Sequence, residues 1–202
     1  MVAPAKLDAT YEDVVAAPAN MVAELLDGEL FLQPRPAVPH ASAASALGMI
    51  VGPPFHLGRG GPGGWTILDE PELHFGRDVL VPDLAGWRRA DHVELDLDVA
   101  FFTAAPTWLC EVLSPSTRKF DRLRKLPRYH AAGVEHVWLV DPLEHAVEVY
   151  RRAEQGWLLA GAHADDETVE IAPFEGLEIH LSDLWVTERS DGGVIAADEQ
   201  IQ

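Results

Sequence analysis

The chain has a single cysteine, Cys110, so no internal disulfide can form. That excludes a disulfide-stapled secreted scaffold and predicts a buried, inert thiol. Basic residues are scarce: 15 Lys and Arg stand against 33 Asp and Glu, a formal charge of −18. Proteins that hold long stretches of duplex DNA carry a basic surplus, so strong autonomous DNA binding is not expected. Any nucleic-acid contact must use a local basic patch, metal ions or a partner. No apolar run approaches the roughly 18 residues of a membrane span. No basic segment followed by an apolar core opens the sequence. These absences predict a soluble cytoplasmic protein with no membrane partner. The Gly-rich segment 58–64 lacks the Gly-Lys-Ser/Thr ending of a phosphate-binding loop and reads as a flexible connection.

Against that background one stretch stands out, Thr107 to Pro142. Trp108, Leu109 and Cys110 form a short continuous apolar run, as a buried strand does. Glu111 interrupts it, and a carboxylate inside a buried strand costs several kcal/mol unless paired. Pro115, Ser116 and Thr117 supply turn and N-cap chemistry, and Gly133 closes a helix of roughly fifteen residues. Asp121, Lys125 and Tyr129 recur every four residues and share one helical face. Val137–Val140 reads as the next strand. Strand, helix and strand make a crossover unit whose strands should be parallel.

The rest of the chain supports an α/β (α+β) assignment with one domain over 11–186 and flexible termini at 1–10 and 187–202. Thr10 caps a short helix that Pro18 ends. Met21 to Gln33 reads as an N-terminal β-hairpin turning on Asp27-Gly28. A helix starts at His40 and is weakened by Gly52-Pro53-Pro54. Residues 65–68, 72–75 and 79–81 are strand pieces, followed by Pro82-Asp83 and Leu84–Trp87. Residues 88–103 read as a surface excursion. Ala146–Arg151 alternates like a half-exposed strand, and 157–160, 169–171 and 177–181 are further short strands.

Two acids in apolar company, Asp83 and Glu111, and one nearby lysine, Lys125, are the residue types of a phosphodiesterase site. Carboxylates hold a hard cation, and an ammonium group steadies negative charge. Pro82-Asp83, Glu111–Thr117, Asp121, Lys125, Tyr129, Gly133-Val134 and Trp138–Pro142 resemble the Uma family of bacterial restriction endonucleases. That family is a branch of the PD-(D/E)xK nuclease superfamily. Glu24–Leu30 and His40 also fit its pattern, and the resemblance runs from Tyr11 to Leu184.

The resemblance implies a restriction-endonuclease-like fold, a central mixed β-sheet flanked by helices. It implies Mg²⁺ (or Mn²⁺) held by Asp83, Glu111 and the backbone carbonyl of Val112, and hydrolysis of DNA phosphodiester bonds. It leaves Glu29 and His40 as additional candidates. A homodimer is compatible with this class, with Val147–Ala160 as a candidate interface. One departure is visible: Leu113 occupies the position where the superfamily carries its lysine. Lys125 is the candidate replacement, reaching in from the adjoining helix. Lys119 is the weaker candidate: it lies six positions earlier, about 240° round an ideal helix, so both should not face the site. A nuclease fold that binds or assembles without cutting is the alternative.

Each residue also has a plain structural reading. Asp83 could cap a turn, and Glu111 could pair with Lys125 or Arg118. Lys125 could be a solvated helix lysine and Asp121 its partner. Tyr129 could be core, Glu29 and Glu72 surface acids, and His40 a structural or substrate-facing residue.

Overall fold

The computed structural model describes residues 3–91 and 98–186. The expected flexible tail at 187–202 and the middle of the 88–103 excursion, residues 92–97, lie outside the described residues.

Helix α1 (Tyr11–Val15) leads into a hairpin of β1 (Met21–Leu26) and β2 (Glu29–Pro34). Asp27 and Gly28 have φ of 55° and 77°, the left-handed pair that a two-residue turn of this type requires. The turn sets the register from Leu26↔Glu29 to Met21↔Pro34. Helix α2 (Val38–Val51) begins two residues before His40, with Pro39 in the first turn, where a missing N–H is harmless. Gly52-Pro53-Pro54 does not break it. The helix widens there into a π-helical turn over Gly52–His56, closed by the Leu57 N–H on the Gly52 carbonyl at 3.1 Å.

Strand β3 (Trp65–Asp69) follows, then β4 (Leu73–Phe75) and β5 (Asp78–Leu80). The last two join the hairpin in a four-stranded sheet ordered β2-β1-β5-β4. Next come β6 (Leu84–Arg88), β7 (Trp108–Val112) and a continuous helical run. The run is α3 (Arg118–Phe120), a π-helical turn (Asp121–Lys125) and α4 (Leu126–Ala132). Pro127 sits inside this run, where its ring would clash with a carbonyl four residues back. The π turn just before it relieves that conflict. Gly133, at φ 99°, ends the run. Strands β8 (His136–Asp141), β9 (Ala146–Ala153) and β10 (Gly156–Ala164) complete a six-stranded sheet, β10-β9-β8-β7-β6-β3. Only β7 and β8 pair in parallel, so the sheet is mixed, and the crossover helix is the one the sequence predicts. A two-stranded sheet of β11 (Thr168–Glu170) and β12 (Glu178–His180) follows, and a 3-10 turn (Leu181–Leu184) closes the described chain.

Side chains of β7 alternate between two cores. Trp108, Cys110 and Val112 pack with Leu47, Val51 and Phe55 of the α2 side. Leu109 and Leu113 pack with Phe120, Leu126 and Tyr129 of the helical run and with Leu26 and Phe31 of the hairpin. With both faces covered, β7 reads as an unbroken apolar run rather than an alternating one. Glu111 falls between Leu109 and Leu113, on the face of the helical run.

Two expectations are corrected. The opening residues 1–10 are not loose where they are described. Ala5 donates to the Leu30 carbonyl at 2.7 Å, Leu30 donates to the Lys6 carbonyl at 2.9 Å, and Ala9 is buried. The 88–103 excursion returns to the body at Phe102, which exchanges backbone hydrogen bonds of 2.8 Å with Glu72 and His74 and packs on Trp87.

Candidate active site

The β6–β7 register runs Gly86↔Trp108, Ala85↔Leu109, Leu84↔Cys110. One residue beyond the last pair lie Asp83, just before β6, and Glu111, in β7. Both line one cleft of about 280 Å³ between the hairpin, the start of α2 and the 114–117 loop. The Asp83 carboxylate is held at both oxygens. Oδ1 is 2.6 Å from His40 Nε2, and Oδ2 accepts the Val112 N–H at 2.7 Å. His40 reaches it from the first turn of α2.

Lys125 enters from the π turn and is 2% exposed. Its ammonium lies 2.7 Å from Glu111 Oε1 and 2.8 Å from Glu24 Oε1, and donates to the Val81 carbonyl at 3.3 Å. Tyr129, one turn on, donates its hydroxyl to Glu111 Oε1. Both of these Glu111 contacts fall on one oxygen. Glu24 accepts from the Val81 N–H at 3.0 Å and from Gln33 Nε2 at 2.7 Å. Asp121 also lines the cleft, hydrogen-bonded to Thr117.

Glu111 and Glu24 pair with the buried lysine and Asp121 adds its charge, and the titration of Glu111 and Asp121 reflects that setting. Burial pushes the Glu111 carboxyl well above the usual range; Lys125 opposes this, and Asp121, Asp83 and Glu24 add to it. Asp121 is raised to about 7, first by burial, with Lys125 and the Thr117 hydrogen bond opposing. Burial works against the Lys125 ammonium, yet Glu111 and Glu24 outweigh it and hold the proton on. Burial, then the Glu111 charge, raises Tyr129, which stays a hydrogen-bond donor.

The Uma2 family pattern, described as "Putative restriction endonuclease", matches residues 9–182. The chain belongs to the Uma2 family. A crystal structure of "a putative nuclease belonging to DUF820" from Anabaena variabilis ATCC 29413 has the same fold, with a TM-score of 0.65 and 24% identity over 87% of this chain and 96% of that one. No curated protein matches.

Within this Uma2 chain, Asp83, Glu111, Lys125 and His40 meet in the cleft. Val112 lines it as well, and its carbonyl leaves β7 on the same edge as the N–H that Asp83 accepts. Glu29 is not brought in: it pairs with Arg124 at 2.8 Å, away from the cleft. Glu72 is occupied by Tyr11 and His74, and Lys119 is exposed. Arg118 pairs with Asp141 and Glu144 rather than with Glu111. Lys125 is not a solvated helix lysine, and Tyr129 is both core and cleft contact.

Sequence reasoning missed Glu24, Gln33 and the Val81 backbone. A signal for Glu24 existed. By alternation it shares the face of Leu26, which is fully buried, so it is a carboxylate on an apolar face just as Glu111 is. Among the described residues no group of three or more His, Cys, Asp or Glu could hold a metal ion by itself. No described helix is long and apolar enough to cross a membrane.

Proposed function

We propose that this chain is a divalent-metal-dependent endonuclease that hydrolyses DNA phosphodiester bonds in the Asp83–Glu111 cleft. The carrying observation is that Asp83 and Glu111 face one cleft with the Lys125 ammonium 2.7 Å from Glu111. The descriptions printed for the family and for the Anabaena variabilis protein support a nuclease.

The donors fit a hard cation. Two carboxylates and the Val112 carbonyl offer oxygen only, and Mg²⁺ characteristically takes one or two carboxylates and keeps several waters. Bound there, Mg²⁺ or Mn²⁺ supplies polarisation of a phosphoryl oxygen and acidifies water. His40 and the Val112 N–H orient the Asp83 carboxylate. Tyr129 and Lys125 hold one oxygen of Glu111 and leave the other for the cleft. The buried Lys125 charge would favour the negative charge that develops on the phosphoryl and leaving oxygens.

Among the described residues the cleft is lined by two cationic side chains, Lys125 and Arg35, and Arg35 already pairs with Glu70 at 3.2 Å. With a net charge of −18 this gives weak DNA binding with few phosphate contacts and a shallow salt dependence. A homodimer would bring two clefts to the two strands of a duplex.

The test is plasmid cleavage with Mg²⁺ or Mn²⁺ and with EDTA. Asp83→Ala and Glu111→Ala should abolish both cleavage and calorimetric Mn²⁺ binding while circular dichroism is unchanged. Cleavage by either variant at the parental rate overturns the assignment. A folded parental protein that takes up no Mn²⁺ would instead be a binding or assembly module.

A further inference from the structure

We propose that Glu24 is a positioning residue for the cleft: with Lys125 it clamps the Val81 peptide and so fixes where Asp83 stands. The proposal rests on the endonuclease reading for its catalytic consequence, but not for its geometry.

Both polar groups of Val81 are taken by the two members of one ion pair. Glu24 Oε1 accepts the Val81 N–H at 3.0 Å, and Lys125 Nζ donates to the Val81 carbonyl at 3.3 Å. The same Oε1 and Nζ are 2.8 Å apart. Only Pro82 separates Val81 from Asp83; it is buried, and its ring locks φ. Little backbone freedom remains between the clamp and the Asp83 carboxylate. Glu24 is itself held, since Gln33 on the paired strand β2 donates to its second oxygen at 2.7 Å. Glu24 lines the cleft but is fully buried, and each of its carboxylate oxygens already accepts a hydrogen bond from the protein. Its charge balances Lys125, which would otherwise lean on Glu111 alone.

The clamp also links two sheets. Glu24 belongs to the hairpin sheet, Lys125 to the crossover helix, and Val81 to the connection between β5 and β6. Groups that orient a ligand from behind it typically change metal affinity or activity 10–100-fold when altered.

The experiment uses the full chain with Glu24→Gln and Glu24→Asp. Glutamine keeps a hydrogen-bond acceptor for Val81 and removes the charge. Aspartate keeps the charge and shortens the reach. Three quantities are read: Mn²⁺ affinity by calorimetry, kcat and KM on plasmid DNA, and Val81 amide hydrogen exchange by NMR. Glu24→Gln should weaken Mn²⁺ binding at least tenfold and lower kcat by a similar factor, with KM within about threefold. Val81 exchange should accelerate while the amides of Leu25 and Leu26 stay as protected as before. Glu24→Asp should restore part of the Mn²⁺ affinity.

A role confined to stability would lower the melting temperature and leave the other three unmoved in the folded protein. Folded Glu24→Gln with Mn²⁺ affinity, kcat and Val81 exchange within twofold of parental overturns the clamp. If Glu24→Gln fails to fold, the same readings on Glu24→Asp decide. If the parental protein neither binds Mn²⁺ nor cleaves, the endonuclease reading falls, and Val81 exchange alone judges the clamp.

Discussion

Asp83 Oδ2 accepts the N–H of Val112, the residue after Glu111, at 2.7 Å, and the Asp83 charge adds to the upward push on the Glu111 carboxyl. Like charges on neighbouring strands destabilise a sheet, by up to about 1 kcal/mol. A fold that keeps two such carboxylates at one cleft, with Tyr129 and Lys125 fastened to one of them, retains them for something other than stability.

Asp83→Asn follows from that pairing. The amide keeps an acceptor for the Val112 N–H and removes the repulsion, so the variant in EDTA should lie within about 1 kcal/mol of the parental protein. The divalent response should vanish. A ligand at a hundred times its Kd adds about 2.7 kcal/mol to the folded state, and only the parental protein should show that rise with Mn²⁺. Thermal melts with and without Mn²⁺ measure both. An equal Mn²⁺ shift in the variant would remove Asp83 from the proposed ligand set.

Lys125→Met leaves Glu24 and Glu111 buried around an apolar side chain. Breaking a buried pair by deleting one partner costs about 3–5 kcal/mol. The pH dependence has a definite sign. Glu111 already has its folded carboxyl pushed above the usual range by burial. Stability from a proton held in the folded state is present below the unfolded carboxylate pKa and is lost as pH rises through the folded value. Without the ammonium that opposing influence is gone, so the loss deepens. Lys125→Met should be least impaired near pH 5 and most impaired near pH 8, as read from urea midpoints. Lys125→Arg should not rescue activity, because a planar guanidinium cannot place one point charge between two carboxylates and the Val81 carbonyl.

Much of this was legible in the chain. Glu111 declares itself by alternating with Leu109 and Leu113, and Asp27-Gly28 declares its turn because few other pairs tolerate two left-handed residues. The spacing of Asp121, Lys125 and Tyr129 predicted a shared face, and all three reach the cleft side of the helical run. The π turn was not legible, since four-residue spacing looks the same in an α-helix, although Pro127 was a hint that the backbone had to give. Glu24 was hidden for a different reason. Its alternation with Leu26 marks an apolar face, but its partner Lys125 lies far along the chain, and nothing local shows what the carboxylate pairs with. The joining of β5 to β1 is equally non-local, resting on a single register pair, Leu25↔Val79. Glu29 failed in the opposite direction: its strand position was compatible with the cleft, but Arg124 holds it outside.

Asp121 is the group through which the cleft should report its own protonation. It is 3% exposed, and burial first of all lifts its carboxyl from 3.8 to about 7, against the pull of Lys125 and Thr117. The folded protein therefore holds a proton that the unfolded chain releases above about pH 4. The associated stability is complete below the unfolded pKa and disappears as pH climbs through about 7, at most on the order of 4 kcal/mol. Asp121→Asn imitates the protonated carboxyl at every pH and can keep the Thr117 hydrogen bond. In EDTA it should match the parental protein near pH 4 and become progressively more stable than it up to about pH 7.5. Each kcal/mol appears as about 2–4 °C of Tm at this chain length. A Tm difference that stays flat from pH 4.5 to 8 would show that Asp121 is ionised throughout, and the cleft would then carry one more negative charge at neutral pH than its burial allows.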